Sequence, residues 1–241
     1  KIEILEKHKY YDYDVFEQNN IASFKTMLSD SKTRIEENNK VYNAIECLKE
    51  RASSVMENYR SLMHPTHYFT YSEFEEFVKL YDDEVKELVE LLYPKYADFI
   101  SDNDSKELPD AVCEIESKRT EHNKLFVQTE LENNKLYFDH VLGTYPLDPQ
   151  QRDSIVKLED NCLVIASAGS GKTSTIVGKA KYLVEKQHIN PANILLLSYT
   201  KKAANELSER MQISGLSSGT FHSLAYRIIA EVTGQAPSIC D

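Results

Sequence analysis

Residues 163–173 read LVIASAGSGKT, an apolar run followed by a loop of small residues and a Lys-Thr pair. Gly169 and Gly171 allow the backbone to turn tightly with its N–H groups pointing inward, which makes a cradle for phosphate oxygens. The loop leads into a helix N-terminus, whose unpaired N–H groups and dipole also favour an anion. The stretch therefore predicts a short buried strand over Leu163–Ala166, a phosphate-binding loop, and a helix that begins at Lys172.

The loop has the residues needed to hold a nucleoside triphosphate and its metal ion. We expect Lys172 to reach the β- and γ-phosphates and the Thr173 hydroxyl to bind Mg²⁺. Ala166 stands where the usual pattern has Gly, so the match is to a relaxed form of that pattern. The residues predicted to bind the nucleotide are Ala166, Ser167, Ala168, Gly169, Ser170, Gly171, Lys172 and Thr173.

The chain changes composition near residue 142. None of its seven glycines precedes Gly143. Residues 1–142 carry 30 acidic against 18 basic side chains, a net charge of −12, whereas residues 143–241 carry 9 against 10. The two compositions predict an architectural boundary there.

Residues 1–142 contain no Gly and only three Pro, so we expect them to be almost entirely helical. Apolar residues at helical spacing, such as Ile21, Phe24, Met27 and Leu28, predict a helix early in the chain. The expected elements in chain order are one or two helices from Asp14 to about Leu62, a helical unit that starts at Tyr71 and is ended or kinked by Pro94, a polar connection from Ser101 to Asp110, and a long helix from about Pro109 to Leu142.

These helices suit a bundle or a coiled-coil arm. Their acidic surface argues against a phosphate-binding role. We therefore expect three regions: a helical accessory domain over 1–108, a long connecting helix over 109–142, and a nucleotide-binding part over 143–241.

Strands and helices alternate after residue 143. Strands that are apolar on both faces predict a parallel sheet covered by helices, with phosphate bound at the carboxyl end of the first strand. The expected elements after the loop are a helix from Lys172 to about Lys186 with Ile176, Val177, Ala180, Leu183 and Val184 on its inner face, a strand over Ile194–Tyr199, a helix from Thr200 to Met211, a short strand within Ser214–Thr220, and a helix from Phe221 to about Val232.

The stretch LDPQQR lies just upstream of the first expected strand. Asp148 and Pro149 are typical of the N-cap and the first position of a helix. The side-chain amide of Gln151 pairs a donor with an acceptor and can hydrogen-bond a purine edge. By itself, Gln151 is more often a plain surface glutamine.

The stretch SYTKKAA places a lysine pair at the start of a helix. If Thr200 caps that helix, Lys201 and Lys202 oppose its macrodipole at a cost of roughly 0.3–1 kcal/mol each, which indicates a nearby anion such as a nucleic-acid phosphate. Tyr199 is then placed to stack on a base. The alternative is a solvated lysine pair that is partly neutralised by Glu206.

The stretch GTFHS also joins a strand end to a helix. The Thr220 hydroxyl and the His222 imidazole can contact phosphates there. Taken alone, His222 is more often a capping or packing residue.

Four stretches in this order, LDPQQR, ASAGSGKT, LLLSYTKKAANELSERM and GTFHSLAYRI, strongly resemble the superfamily 1A DNA helicases of the UvrD/Rep type. They match the Q motif and motifs I, Ia and Ib of that family. The resemblance is strong over about residues 121–232, and within the family it favours a subgroup with a helical amino-terminal domain. It implies an all-α amino-terminal domain followed by a partial α/β RecA-like P-loop domain with a parallel sheet.

The resemblance also implies roles for single residues. Gln151 reads adenine. Lys172 and Thr173 are catalytic residues, of which Lys172 binds the phosphates of ATP and Thr173 binds Mg²⁺. Single-stranded or partly duplex DNA is contacted by Tyr199, Thr200 and Lys202, and by Thr220 and His222. The implied activity is ATP-dependent 3′–5′ unwinding in the cytoplasm.

Some family features are absent from the printed residues. Ser174 stands where many relatives have Arg, and Tyr199 where Phe is common. No apolar strand ending in Asp-Glu follows the loop, and a second RecA lobe is lacking. The chain also begins with Lys. We therefore expect a fragment that binds nucleotide weakly and neither hydrolyses ATP nor unwinds DNA.

Two other functions remain open. A helicase-like ATPase can remodel a protein complex, for example stalled RNA polymerase, with residues 1–108 as the partner-binding part. An unrelated P-loop kinase or GTPase leaves the three flanking stretches unexplained. No apolar run approaches the ~18 residues of a membrane span, so no membrane partner is expected.

Overall fold

The computed structural model describes residues 15–81, 83–143 and 145–236. Two short 3₁₀ helices, Ala97–Phe99 and Pro191–Asn193, accompany the main elements. In chain order the helices and strands are α1 (Val15–Leu62), α2 (Tyr71–Leu80), α3 (Asp83–Tyr96), α4 (Asn103–Cys113), α5 (Ile115–Asn133), α6 (Lys135–His140), α7 (Pro149–Val156), α8 (Lys172–Glu185), β1 (Leu195–Ser198), α9 (Lys201–Met211), β2 (Ser217–Thr220) and α10 (Phe221–Thr233). The described residues are mostly helical with one small parallel sheet, as the sequence predicts in outline.

The described residues form two compact units. The first combines residues 15–61 with 75–115, and the second combines 62–74 with 116–236. Residues 116–142 thus group with residues 143–236. The division at 108 and 142 stays a prediction.

The first unit has its own hydrophobic core, to which α1 contributes only its second half. Leu48, Ala52 and Met56 are almost wholly buried, together with Phe77 and Leu92 from later helices. Burying such side chains contributes about 1.5–3 kcal/mol each relative to leaving them exposed.

The helix predicted near the start of the chain is present in α1, but most of its apolar side chains there are exposed. Phe24, Met27 and Leu28 are 62%, 61% and 54% exposed. Their spacing is helical, but helical spacing alone does not supply a neighbouring element to pack against. The 48 residues of α1 extend over about 72 Å at 1.5 Å per residue, which is longer than one small core can cover.

The predicted polar connection from Ser101 to Asp110 is also wrong, because α4 begins at Asn103. The carboxylate of Asp102 caps this helix and accepts a hydrogen bond from the Ser105 N–H at 2.8 Å. The helix buries Ser105 and Leu108 while its other polar side chains face water. The polar composition therefore reflects a solvated helix face rather than a loop.

The expected single helix from Pro109 to Leu142 is wrong as well. Pro109 lies inside α4, and the later residues form α5 and α6 with interruptions at Glu114 and Asn134. The Asn134 side chain donates to the Glu130 carbonyl at 3.0 Å and competes locally with the helical ladder. Similarly, α3 continues to Tyr96, two residues beyond Pro94.

The sheet consists of β1 and β2, which run parallel with Leu195 opposite Ser217 and Ser198 opposite Thr220. Helix α9 connects them, as the alternating pattern predicts. The strand predicted over Leu163–Ala166 is wrong, because these residues take no strand structure and Leu163 and Ile165 are 86% and 90% exposed. A strand needs a hydrogen-bonded neighbour, and in the described part of the chain β1 and β2 pair only with each other.

The second unit is held by a core that joins α5, α6, α7 and α8. Tyr182 is fully buried, and its hydroxyl donates to Glu130 and accepts from the Gln187 amide at 2.8 Å. The predicted inner face of α8 is correct for Val177 and Ala180, but Ile176 is 44% exposed. The buried members of this core are Tyr68, Phe126, Val127, Phe138, Leu147, Ile155, Val156 and Tyr182.

None of the helices in the described ranges is both long enough and apolar enough to span a bilayer.

Candidate nucleotide-binding and nucleic-acid site

The loop between residues 166 and 172 is folded into a defined turn. Gly169 and Gly171 have φ angles of +78° and +82°, in the left-handed region that favours glycine. The Ser170 hydroxyl donates to the Ser167 carbonyl at 2.8 Å. Gly171 is the N-cap of α8, and its carbonyl accepts the Thr175 N–H at 2.9 Å. The loop thus leads directly into the N-terminus of α8, as the sequence predicts.

The side chain of Lys172 lies across this loop. Its Nζ donates to the carbonyls of Ala166 and Ser167 at 3.1 and 2.6 Å. Thr173 is half-buried in the first turn of α8. The ammonium group and the hydroxyl therefore lie at the loop that would hold the phosphates.

Gln151 is brought to the same loop by α7. Asp148 and Gln151 form a capping box, in which Gln151 Oε1 accepts the Asp148 N–H at 2.9 Å. Gln151 Nε2 donates to the Ser170 carbonyl at 3.3 Å. Each amide atom uses one of its two hydrogen-bonding positions, so one donor and one acceptor are left for a purine edge.

A cleft of about 330 Å³ opens beside this amide. Its walls include Gln151, Val164, Ala166 and Ser170. The volume lies at the small end of the range for ligand pockets. The residues predicted to bind base and phosphates are therefore neighbours in space.

Helices α7 and α8 pack closely because α8 has a glycine at the contact. A Cβ on Gly178 would lie 2.8 Å from Ile155 Cδ1 and 3.0 Å from Leu147 Cδ1. Next to it, Lys179 Nζ donates to the carbonyls of Ile155 and Lys157, both at 2.6 Å. Burial lowers the pKa of Lys179 to about 8.

Sequence reasoning missed Lys179. The sequence signal that could have revealed it is its position between Val177 and Ala180, on the face of α8 predicted to be buried. A charged side chain at such a position needs buried acceptors, and here two backbone carbonyls supply them.

The two later motifs meet at one edge of the sheet. Ser198 and Thr220 are paired at the carboxyl ends of β1 and β2, so Tyr199 and Phe221 follow side by side. Thr200 caps α9 by accepting the Ala203 N–H at 3.2 Å. Both helices therefore begin at this edge, where their N-termini favour anions.

The cap of α10 is a reciprocal pair. Thr220 Oγ1 accepts the Ser223 N–H at 3.2 Å, and Ser223 Oγ accepts the Thr220 N–H at 2.9 Å. Thr220 is only 6% exposed. Its hydroxyl therefore serves the helix cap in this structure, while His222 is exposed beside it.

The exposed groups at this edge are the aromatic ring and the cations. Tyr199 is 89% exposed, and Lys201 and Lys202 are exposed in the first turn of α9. Glu206 pairs with Arg210 at 2.7 Å rather than with Lys202. The interpretation of a lysine pair neutralised by Glu206 is thereby weakened, and the DNA-binding roles stay predictions.

Comparison with known proteins reveals relatives of this chain. The family model of the UvrD/REP helicase N-terminal domain matches residues 147–236. The chain is 36% identical over 130 residues to DNA helicase IV of Escherichia coli (strain K12), an alignment that covers 52% of this chain and 19% of that protein.

Shorter alignments extend the set of relatives. The chain is 37% identical over 89 residues to DNA helicase II of Escherichia coli (strain K12), covering 34% of this chain and 12% of that protein. It is 38% identical over 90 residues to ATP-dependent DNA helicase Rep of Buchnera aphidicola subsp. Schizaphis graminum (strain Sg), covering 34% of this chain and 14% of that protein. The chain thus spans less than a fifth of these relatives. The resemblance carried by the four motifs is confirmed, and residues 147–236 are similar to the UvrD/REP helicase N-terminal domain.

Proposed function

We propose that the chain carries the ATP-binding part of a DNA helicase that moves 3′ to 5′ along a single strand and separates duplex DNA. In this proposal, residues 143–241 form the first part of a RecA-like lobe. The observation that supports it most is the hydrogen bond from Gln151 to the Ser170 carbonyl, which links an adenine-reading amide to the phosphate loop. The names of the relatives, all DNA helicases, support the same function.

Different groups of the site bind ATP and Mg²⁺. The loop N–H groups and Lys172 bind the β- and γ-phosphates, and the Thr173 hydroxyl binds the metal ion. Mg²⁺ held there would supply positive charge beside the phosphates, and Gln151 selects the base.

Hydrolysis needs a carboxylate that orients water and arginines that stabilise the transition state. The sequence offers no Asp-Glu strand end after Thr173. We therefore propose that the 241 residues bind ATP weakly and do not turn it over. Multiple-turnover ATPase activity of the pure chain, abolished by Lys172→Ala, would contradict this proposal.

The sheet edge is the proposed DNA-binding surface, with Tyr199 stacking on a base and Thr200, Lys201, Lys202, Thr220 and His222 near phosphates. Binding of fluorescent oligo(dT) by the chain tests it. We expect the double variant Lys201→Ala/Lys202→Ala to bind the oligonucleotide more weakly than the wild type. Its affinity should also depend less steeply on salt concentration. The reversed charge of Glu121→Lys, on α5, provides a control away from this edge. Strand displacement from 3′-tailed against 5′-tailed duplexes by the full-length protein tests the polarity.

A second candidate function is the remodelling of a protein complex, with residues 1–108 as the partner-binding part. The observation that favours it is the exposed apolar row on α1, which includes Phe24, Leu28 and Ile35. Purified RNA polymerase is a suitable partner for a direct binding measurement. Loss of binding when these three residues become Ser would support this function, and equal binding would contradict it. In either case we propose a cytoplasmic site of action.

A further inference from the structure

Lys179 makes contacts that the proposed phosphate chemistry does not use. Its side chain is half-buried, and its Nζ lies 2.6 Å from both the Ile155 and the Lys157 carbonyl oxygens. A cavity of about 330 Å³ adjoins it, with Cys162, Val164 and Leu196 in the lining. No carboxylate forms a salt bridge with Lys179 within the described ranges. The amine therefore serves backbone acceptors rather than a counter-ion.

The two acceptors belong to the end of α7. Ile155 is in its last turn, and Lys157 is its C-cap. The last carbonyls of a helix lack intrahelical partners, and a lysine at that end satisfies them while complementing the dipole. Helix α8 thus supplies the C-terminal cap of α7.

The other end of α7 carries Gln151. The Asp148–Gln151 capping box fixes the first turn, and Gln151 Nε2 reaches the Ser170 carbonyl. Helix α7 has only eight residues, so a displacement of one end also moves the other end. Its contact with α8 runs from Gln151 at the loop to Lys179 at the C-terminal end, with Gly178 allowing the close approach.

We propose that Lys179 is a positioning residue for adenine recognition. By binding the carbonyls of Ile155 and Lys157, it fixes α7 on α8 so that the Gln151 amide faces the base of a nucleotide held by the loop. The proposal rests on the proposed function of Gln151. It assigns base selectivity to a residue that does not itself contact the base.

The test compares ligands that do and do not present adenine. Affinities of the 241-residue chain for Mg-ATP, Mg-GTP and Mg-tripolyphosphate are measured by calorimetry or by competition with a fluorescent nucleotide. Thermal unfolding of each variant is recorded alongside. Tripolyphosphate reports on the phosphate loop without a base.

Lys179→Met removes the donors and keeps most of the side-chain volume. We expect the preference for ATP over GTP to fall by about tenfold, the size expected when one or two hydrogen bonds are lost. Binding of tripolyphosphate should stay within about twofold. Lys179→Arg, which keeps donors at the end of a long side chain, should recover most of the preference.

Lys181→Met is the matched control. Lys181 is on the same helix but donates to the Val141 carbonyl at 3.2 Å, away from α7. It should leave the ATP/GTP ratio unchanged. If Lys179→Met does not fold, Lys179→Gln, whose shorter amide does not reach both carbonyls, takes its place with the same expectation.

The outcomes separate this proposal from the one on which it rests. Selectivity that is lost in Gln151→Ala but kept in folded Lys179→Met overturns the role of Lys179 alone. Equal loss of ATP and tripolyphosphate binding in Lys179→Met shows a merely structural role and also overturns it. A wild-type chain without any preference for ATP overturns adenine reading by Gln151, and the positioning role with it.

Discussion

A side chain at Gly171 would meet Gln151, the residue proposed to read the base. The Gly171 φ of +82° already disfavours a side chain, and an added Cβ would lie 2.4 Å from Gln151 Nε2. Replacement by Ala should cost roughly 1–2 kcal/mol of backbone strain and should also displace Gln151. We expect Gly171→Ala to lower the affinity for ATP and the preference over GTP, as measured by nucleotide titration.

Gly143→Ala provides the comparison for backbone strain. Gly143 has a similar φ of +80°, but nothing lies within 4 Å of its would-be Cβ. Both variants should lose thermal stability through backbone strain, and only Gly171→Ala should lose base preference. Unchanged nucleotide selectivity in Gly171→Ala would contradict the placement of Gln151.

Lys179 also predicts a pH effect on stability. Its pKa is lowered from 10.5 to about 8 in the folded chain by burial. Between these two values the unfolded chain binds more protons, so the free energy of unfolding rises with pH by up to about 1.4 kcal/mol per unit. This contribution should be fully present above pH 10.5 and lost as the pH falls towards 8.

Urea unfolding of the wild type and Lys179→Met between pH 7.5 and 9.5 measures this difference, with Lys181→Met as the control for a lysine on the same helix. The charge of Cys162 raises the pKa of Lys179, so a Cys162→Ser background isolates the lysine. Parallel pH curves for the wild type and Lys179→Met would contradict a buried amine at this position.

The pairing of α7 with α8 makes a prediction at the level of elements. An exposed Gly→Ala change inside a helix normally stabilises it by up to about 1 kcal/mol. At Gly178 the new methyl group would press on Ile155 and Leu147, which are buried and have little room to move. Overpacking costs about 1–3 kcal/mol, so we expect Gly178→Ala to lower the unfolding midpoint.

The same change offers a second readout, because α7 carries Gln151. Displacement of α7 should reduce ATP affinity more than tripolyphosphate affinity. Gly178→Ala with a raised unfolding midpoint would show that helix propensity outweighs the contact.

Local signals determined which elements could be predicted from the sequence. Asp148 and Thr200 cap α7 and α9 as expected, since a cap needs only its own backbone neighbours. The same holds for the glycine turn before Lys172. The strand expected at Leu163–Ala166 failed because strand structure depends on a partner elsewhere. Lys179 and Tyr182 were missed because their partners, on α7 and α5, lie 22 or more positions away in sequence.

At the scale of the whole molecule, the second unit includes residues that precede the change in composition near residue 142. Phe126 and Phe138 share a buried cluster with Leu147 and Ile155. A chain starting at Gly143 would lose these partners and would leave the buried Tyr182 hydroxyl without Glu130. We expect residues 143–241 alone to lack a cooperative unfolding transition in circular dichroism, whereas residues 62–241 should retain one.

Cooperative unfolding of residues 143–241 at the same temperature as 62–241 would contradict this view. It would place the boundary of the folding unit at the change in composition near residue 142, as the sequence predicts.

Calorimetric titration of the 241-residue chain with Mg-ATP tests the central claim, that the loop after Ala166 holds a nucleotide. The wild type should bind, and Lys172→Ala should bind at least about tenfold more weakly because it loses the ammonium group at the phosphates. Lys32→Ala, on an exposed part of α1, should bind like the wild type. Equal affinity in the wild type and Lys172→Ala, or no binding by either, would contradict the claim.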